Sequence, residues 1–301
     1  MKPPFAFPGR APDAHKNAVG DALVIAGARG MTGAALLCAR SCLRGGAGLV
    51  TIACPESVQQ ALDAKVVCEM TRGLPETPEG SLSMDALEPL LGLCARRDAI
   101  ALGPGLSQVA DTANLVRYFV RVFLGGLESG QGPRLVLDAD GLNAFAGQKE
   151  LLKPLAGRAV LTPHPGEFRR LTGADPGDRE AALEAFVRET GVVTLLKGHR
   201  TLVYGLTGGG DLRRYQNETG NPGMATAGAG DVLTGLILAL LAQGLSPYEA
   251  ACLGAWLHGR AGDVVARRVG QAPLIASDLI DGLIEVIRDL EADQGATGVG
   301  A

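Results

Sequence analysis

The chain has 301 residues, enough for one large α/β domain or two small ones, and either can bury a sizeable core. Its 28 basic and 32 acidic residues give a net charge of -4 with no basic stripe, which argues against nucleic acid as a partner but leaves room for an anionic cofactor in a locally positive site. Hydrophobic residues reach 47% while aromatics are only 4%, so the core must rest on Ala, Leu and Val, with close backbone approaches at some of the 43 glycines.

The six cysteines, Cys38, Cys42, Cys54, Cys68, Cys94 and Cys252, form no C-x-x-C pair. Five of them sit in apolar or Ala-rich surroundings, as buried small hydrophobes do in a reducing compartment. The four histidines show no metal-type spacing, so zinc is not expected. No apolar h-region follows the N-terminal lysine, and the longest apolar stretch, near 236–242, is far below a membrane span. The expectation is a cytoplasmic protein without membrane contact.

In chain order, 1–19 is rich in Pro, Gly and Ala and reads as an extended arm. ALVIA at 22–26 is a short strand buried on both faces, followed by a glycine-containing loop and a helix from Ala34 to Leu43. Strand, glycine loop and helix in that order place ligands at the carboxyl end of a parallel sheet. LVTIA at 49–53 predicts the next strand, 58–62 a short helix, 65–69 another strand and 72–80 a loop. A helix at 84–94, a strand at 98–102 and a helix at 110–124 follow, then a mobile connection at 125–133. Strands are expected at 134–137, 158–161 and 192–196, with a helix at 179–190. A hairpin is expected from 202–204 and 211–215, and helices at 247–265 and 273–290, the last with apolar residues at helical spacing. Trp256 and His258 read as packing residues on the first of these two helices. Strand and helix alternate from 22 to 265 without a charged or Ser-rich linker, so one domain spans 20–290, with a flexible tail at 291–301.

The stretch NETGNPGMATAGAGDVLTGLILALLAQG, at 217–244, organises the chain. Gly228 and Gly230 flank one small residue, Ala229, just before an apolar helix, so the backbone can approach a bulky anion with no Cβ in the way. The amides at the helix start then point at that anion. Asp231 follows at once. A carboxylate there makes a poor phosphate ligand but a suitable base for a hydroxyl that attacks phosphorus; a tight turn with Asp231 capping its own helix is the plainer reading.

Other strand ends carry polar groups. Asp138, Asp140 and Asn143 suit a magnesium–water shell, a polyol or an Asx-type turn with a helix cap. His164 is flanked by Pro163 and Pro165 and held rigidly, which favours ligand contact. Lys197, before Gly198, is either a phosphate contact or part of a surface turn.

Taken together, GARGMTGAALLCAR, GPGLS, LDADGLNA, LTPHPGEFRRL, LLKGHRT and GNPGMATAGAGDVLTGLI resemble, in that chain order, the nucleotide-dependent NAD(P)H-hydrate dehydratases of the ribokinase-like superfamily. The resemblance runs over roughly 7–287. It departs at Ala28, where Ser is usual, and at Ala229, often Thr. It implies an α/β fold, a ribokinase-like three-layer α/β/α sandwich with a central, mostly parallel sheet. The implied reaction converts hydrated NADH or NADPH back to the reduced dinucleotide, with ADP or ATP as phosphoryl donor and Mg2+ as cofactor. Carried over residue by residue, Asp231 is the base. Ala34, Gly105, His164, Asp231 and Asn143 contact the hydrated dinucleotide. Lys197, Gly198, His199, Arg200 and Thr201, with Gly228, Ala229 and Gly230, hold the adenine nucleotide, at a place separate from the hydrated dinucleotide. Asp138 is a weak metal contact through water. A homo-oligomer, with a tetramer as one option, and a separate epimerase acting alongside are also implied, since many relatives carry an epimerase domain for which this chain is too short. Two other readings stay open on the sequence: a vitamin-precursor kinase of the same superfamily, which would release a stable phosphomonoester, and a silent nucleotide-binding regulator.

Overall fold

The computed structural model describes residues 2–124, 132–173 and 177–297. In chain order the strands and helices are β1 Asp21–Ile25, α1 Thr32–Arg44, β2 Leu49–Pro55, α2 Glu56–Asp63, β3 Met70–Leu74, α3 Leu87–Cys94, β4 Ala99–Leu102 and α4 Ala110–Phe119. Then come β5 Arg134–Leu137, α5 Asp140–Asn143, β6 Ala159–Leu161, α6 Pro165–Thr172, α7 Arg179–Thr190, β7 Val193–Leu196, β8 Leu202–Leu206, β9 Leu212–Gln216, α8 Ala229–Ala242, α9 Pro247–Val269 and α10 Ala276–Thr297. All nine of these strands join one sheet in the order β3-β2-β1-β4-β5-β6-β7-β8-β9. Strands β1 to β7 pair in parallel, and β8 and β9 close one end antiparallel.

The period of two along each strand divides the core. Ala22 and Val24 of β1 face α1, α8, α9 and α10 with Val50, Ile52 and Leu195. Leu23 and Ile25 face the other side, where α3, α4, α6 and α7 bring Leu90, Phe119, Phe168 and Phe186. Both faces are covered over β1, β2 and β4 to β7, so these parallel strands are buried without alternation, whereas the edge strand β3 is buried only at Leu74, and the three-layer α/β/α expectation holds.

The chain leaves β1 toward β2 on one side and returns to β4 on the other. That reversal makes the carboxyl ends of β1 and β4 a topological switch point, the usual ligand position in an open α/β sheet. The amide of Gly27 donates to Pro104 O at 2.9 Å across this switch point.

Some expectations shift. The strand expected at 65–69 begins instead at Met70. The amides of Lys65 and Val66 still close the last turn of α2, and Glu69 Oε2 accepts from the amides of Val67 and Cys68, so the backbone groups of this stretch are engaged locally. The loop expected at 72–80 therefore starts only after Leu74. The last helix starts at Ala276 rather than at 273 and continues to Thr297, into the segment expected as a tail. The arm is anchored: Phe7 is buried, Phe5 meets Tyr248 edge-on, and Arg10 donates to Gly46 O. The connection expected at 125–133 falls largely on residues outside those described. Cys68 is exposed and the other five cysteines are buried. Among the described residues, no helix is long and apolar enough to cross a membrane.

Candidate active site

The apolar helix α8 lies in the core, buried from Val232 to Ala242. It is seated by a glycine: a Cβ at Gly235 would fall 1.9 Å from Cys38 O and 2.1 Å from Ser41 Oγ, so only glycine lets α8 lie this close to α1. The seating delivers the α8 N-terminus to the carboxyl edge of the sheet. Gly228 caps it with φ +88°, a left-handed conformation that side-chain-bearing residues resist. Asp231 stands in the first turn, but no side chain caps this helix. The plain capping reading of Asp231 is therefore not what the structure has.

The lead-in is strapped to α9. Asp263 accepts from the Gly220 amide at 3.1 Å and from Asn221 Nδ2 at 3.2 Å. Asn217, buried, donates to Thr219 O and Ala255 O. Thr219 Oγ1 donates to Trp256 O at 3.0 Å. His258 lies beneath the same turn. Burial pushes its imidazole down to about 4, against the opposing pull of a hydrogen bond to the Ala229 main chain, so the ring is neutral at physiological pH.

Facing the turn is a buried charge cluster. Lys197, just past β7, donates from Nζ to Asp138 Oδ1 at 2.6 Å. Asp138, just past β5 and 1% exposed, accepts at Oδ2 from Thr234 Oγ1, also at 2.6 Å. The lysine reaches over the anion turn: a Cβ on Gly230 would sit 3.2 Å from Nζ. Lys197 thus lies beside the turn at 228–230, where the phosphate-contact reading of this lysine would put it. Asp138, expected as a metal contact through water, gives both oxygens to protein donors. Burial pulls the Lys197 pKa down, but Asp138 and Glu167 outweigh it and the net direction is up.

Asp231 titrates in this cluster. Burial first, then the negative charges of Asp138, Asp140 and Glu167 against the opposing Lys197, push its carboxyl up to about 7. A carboxylate poised there can take a proton near neutral pH. Among the described residues no group of three or more His, Cys, Asp or Glu side chains is arranged to hold a metal.

The remaining residues divide. Gly105 and Ala34 are brought together at the switch point: a Cβ on Gly105 would lie 3.1 Å from the Ala34 Cβ. Asn143 is held beside them through Asp140. Its Nδ2 donates to Asp140 Oδ1, its Oδ1 accepts from Arg170 Nε, and Asp140 Oδ2 accepts from the Ser107 amide. His164 is the N-cap of α6 in a capping box. Its Nδ1 accepts from the Gly166 amide at 2.9 Å while Glu167 Oε2 accepts from the His164 amide at 2.8 Å. With Nδ1 as acceptor, the neutral ring carries its proton on Nε2. The side chain is 50% exposed, and its Nε2 lies 3.5 Å from Glu167 Oε1.

The loop at 197–201 wraps around Arg179, whose guanidinium donates to the carbonyls of Leu196, Lys197 and His199. Arg200 has φ +54°, and Thr201 Oγ1 donates to Gly198 O. His199 and Arg200 are exposed at this rim.

The sequence reading missed Thr234, Glu167 and Arg179 as parts of the site. Thr234 lies three residues after Asp231 and so on the same helical face, a signal that was available. Arg179 carries no such local signal, because only the fold brings α7 under the loop after β7.

Comparison with known proteins agrees with this geometry. The profile of the NAD(P)H-hydrate dehydratase family matches residues 22–284. A bifunctional NAD(P)H-hydrate repair enzyme of Moorella thermoacetica is 47% identical over 95% of this chain and 53% of its own. This chain spans about half the length of the first curated relatives it matches. An ADP-dependent (S)-NAD(P)H-hydrate dehydratase of Neisseria meningitidis is 37% identical over 93% of this chain and 88% of its own. The ADP/ATP-dependent NAD(P)H-hydrate dehydratase of Bacillus subtilis, crystallised with ATP and Mg2+, superposes with a TM-score of 0.75 at 27% identity over 95% of each chain. A ribokinase-like protein of Enterococcus faecalis superposes with a TM-score of 0.78 at 26% identity, over 94% of this chain and 92% of its own. With its strand-end loops, its glycine turn and a carboxylate beside it, the chain belongs to the NAD(P)H-hydrate dehydratase family.

Proposed function

We propose that this protein is an ADP- or ATP-dependent (S)-NAD(P)H-hydrate dehydratase, a hydro-lyase that repairs hydrated NADH and NADPH. The observation that carries the reading is Asp231 beside the anion turn, with its carboxyl pushed up to about 7 and the Lys197 ammonium facing the same turn. Asp231 takes the proton from the C6 hydroxyl of the hydrated nicotinamide ring as that oxygen attacks the terminal phosphorus of the nucleotide and the bond from that phosphorus to the bridging oxygen breaks, releasing AMP from ADP or ADP from ATP. The phosphoryl group is received by the amides at 228–230 and the dipole of α8. Hydroxide leaves poorly, whereas phosphate leaves well. The ring nitrogen lone pair expels phosphate with the C–O bond electrons, and loss of a C5 proton restores the ring double bond.

His164 Nε2–H is a donor for a ribose or pyrophosphate oxygen of the dinucleotide, and Gly105 and Ala34 leave room for it at the switch point. Asn143 orients the same substrate. Gly198, His199, Arg200 and Thr201 form the rim for the nucleoside part of ADP or ATP, with Ala229 lining the phosphate end. Mg2+ supplies charge compensation on the phosphates. Asp138 is already engaged by Lys197 and Thr234, so the ion fits as one carried in by the nucleotide rather than one held by a dedicated protein cage. The protein works in the cytoplasm as a homo-oligomer, and a separate epimerase supplies the reactive epimer.

The deciding assay supplies hydrated NADH with ADP or ATP and follows absorbance of the reduced nicotinamide. Nucleotide-dependent recovery of that absorbance is expected, with release of inorganic phosphate. No recovery, or accumulation of a stable phosphomonoester, would sink the reading.

A further inference from the structure

A lysine on a flexible four-carbon stem loses rotamer freedom when it reaches a phosphate, unless something aims it beforehand. Here something does. Asp138 holds the Lys197 ammonium from one side, and Thr234 fixes Asp138 from the other. The Asp138 amide is itself tied to Leu102 O at 3.2 Å, so the carboxylate has little freedom of its own. Thr234 is fully buried and shares a helix with the anion turn and Asp231. One rigid element therefore carries the phosphoryl site, the base and the hydroxyl that locks the lysine's partner.

We propose that Asp138 and Thr234 are positioning residues for phosphoryl transfer, holding the Lys197 ammonium over Gly230, against the phosphoryl oxygens and away from the adenine. The placement of the lysine stands on this geometry alone; only the identity of the acceptor rests on the dehydratase reading. The groups facing Asp231 are Asp138 and Asp140 from the end of β5, Glu167 from α6, Lys197 after β7 and Cys38 from α1. Asp138 thus opposes ionisation of the base while its partner Lys197 favours it.

The test has a binding arm and a kinetic arm. Calorimetry compares adenosine with ADP at fixed Mg2+. Lys197→Met is expected to lose at least about tenfold in ADP affinity while adenosine affinity stays within about twofold. Equal losses for both would overturn the placement. Thr234→Val keeps the shape and removes the hydroxyl. It is expected to lose about threefold in ADP affinity and about tenfold in kcat, with Thr234→Ser restoring both. In the pH profile of kcat/KM, Asp138→Asn should move the acid limb to lower pH and Lys197→Met to higher pH, which a merely structural role would not do. A Thr234→Val enzyme with parental kcat and ADP affinity, or one that Ser fails to restore, would refute the positioning role even if Asp138→Asn does not fold. A parent enzyme without nucleotide-dependent recovery of reduced nicotinamide would sink the dehydratase reading instead, leaving the binding arm to decide this one.

Discussion

Asp231 draws its chemistry from burial more than from any one neighbour. Its ionised form is disfavoured in the folded protein, so in the proposed role it can accept a proton only as pH rises through about 7, and kcat/KM should climb with a limb near that value. The same shift bears on stability. A carboxyl with a raised folded pKa has no penalty below its unfolded value near 3.8 and its full penalty above about 7. Asp231→Asn removes that penalty, so its melting temperature should exceed the parent's by at least about 2 °C at pH 8 and match it near pH 4. Turnover should fall about 10²–10⁴-fold, since the amide keeps the shape and loses the basicity. Turnover within threefold of the parent enzyme would rule out the base role. His164 raises a different question, because its half-exposed ring caps α6 through Nδ1 while Nε2 lies 3.5 Å from Glu167 Oε1. His164→Ala should lose about 1 kcal/mol of stability with the cap, whereas His164→Asn restores a capping oxygen. Both should weaken binding of hydrated NADH more than binding of ADP. If only the alanine variant weakens it, the cap accounts for the effect and the ring makes no contact.

Helix α8 is where packing and function meet. Its N-terminus can present the anion turn only because Gly235 lets it settle against Cys38 and Ser41 of α1. Gly235→Ala forces that contact apart and should cost about 1–3 kcal/mol, with a loss of kcat, because the turn at 228–230 moves with the helix. Gly92, in α3 far from the site, is the counterpart. A Cβ there meets nothing within 4 Å, so Gly92→Ala should stabilise by up to about 1 kcal/mol and leave kcat unchanged. Thermal melts and turnover of the two variants check both statements. Helix α9 is the second support, since Asp263 and the carbonyls of Ala255 and Trp256 hold the segment ahead of the turn.

At the scale of the molecule, charge sets the requirement for a counter-ion. The chain carries a net charge of -4, and four carboxyl groups, Asp138, Asp140, Glu167 and Asp231, cluster with one lysine at the proposed phosphoryl site. Bringing ADP or ATP there needs cations that the protein does not supply. Activity should therefore vanish on exhaustive chelation and return on adding Mg2+. Full activity of the chelated enzyme would contradict this. The sheet closes with the β8–β9 hairpin, whose edge strand carries Arg213 and Arg214. Arg213 lies over the Tyr248 ring at 3.9 Å and Arg214 pairs with Glu184, which blunts an otherwise open edge.

Much of this was determined by the sequence alone. The alternation of apolar runs with glycine-ended loops specified a parallel sheet, and Arg179–Thr190 was bounded correctly because Asp178 caps it and Gly191 ends it locally. The anion turn was legible for the same reason: glycines before an apolar helix are a short-range signal. Strand β3 was placed too early because Val66, Val67 and Cys68 look like a strand, while Glu69 and the end of α2 engage that backbone first. Only the tertiary structure decided what the charged residues do. Asp138 and Lys197 lie 59 residues apart, and Asp138 and Thr234 lie 96 apart. No local pattern shows that the ends of β5 and β7 converge on the first turns of α8. That convergence makes Asp138 the partner of a lysine and sets the Lys197 ammonium beside Gly230. It also pushed Asp231 toward neutrality, because burial and neighbouring charge are properties of the packed chain and not of any segment of it.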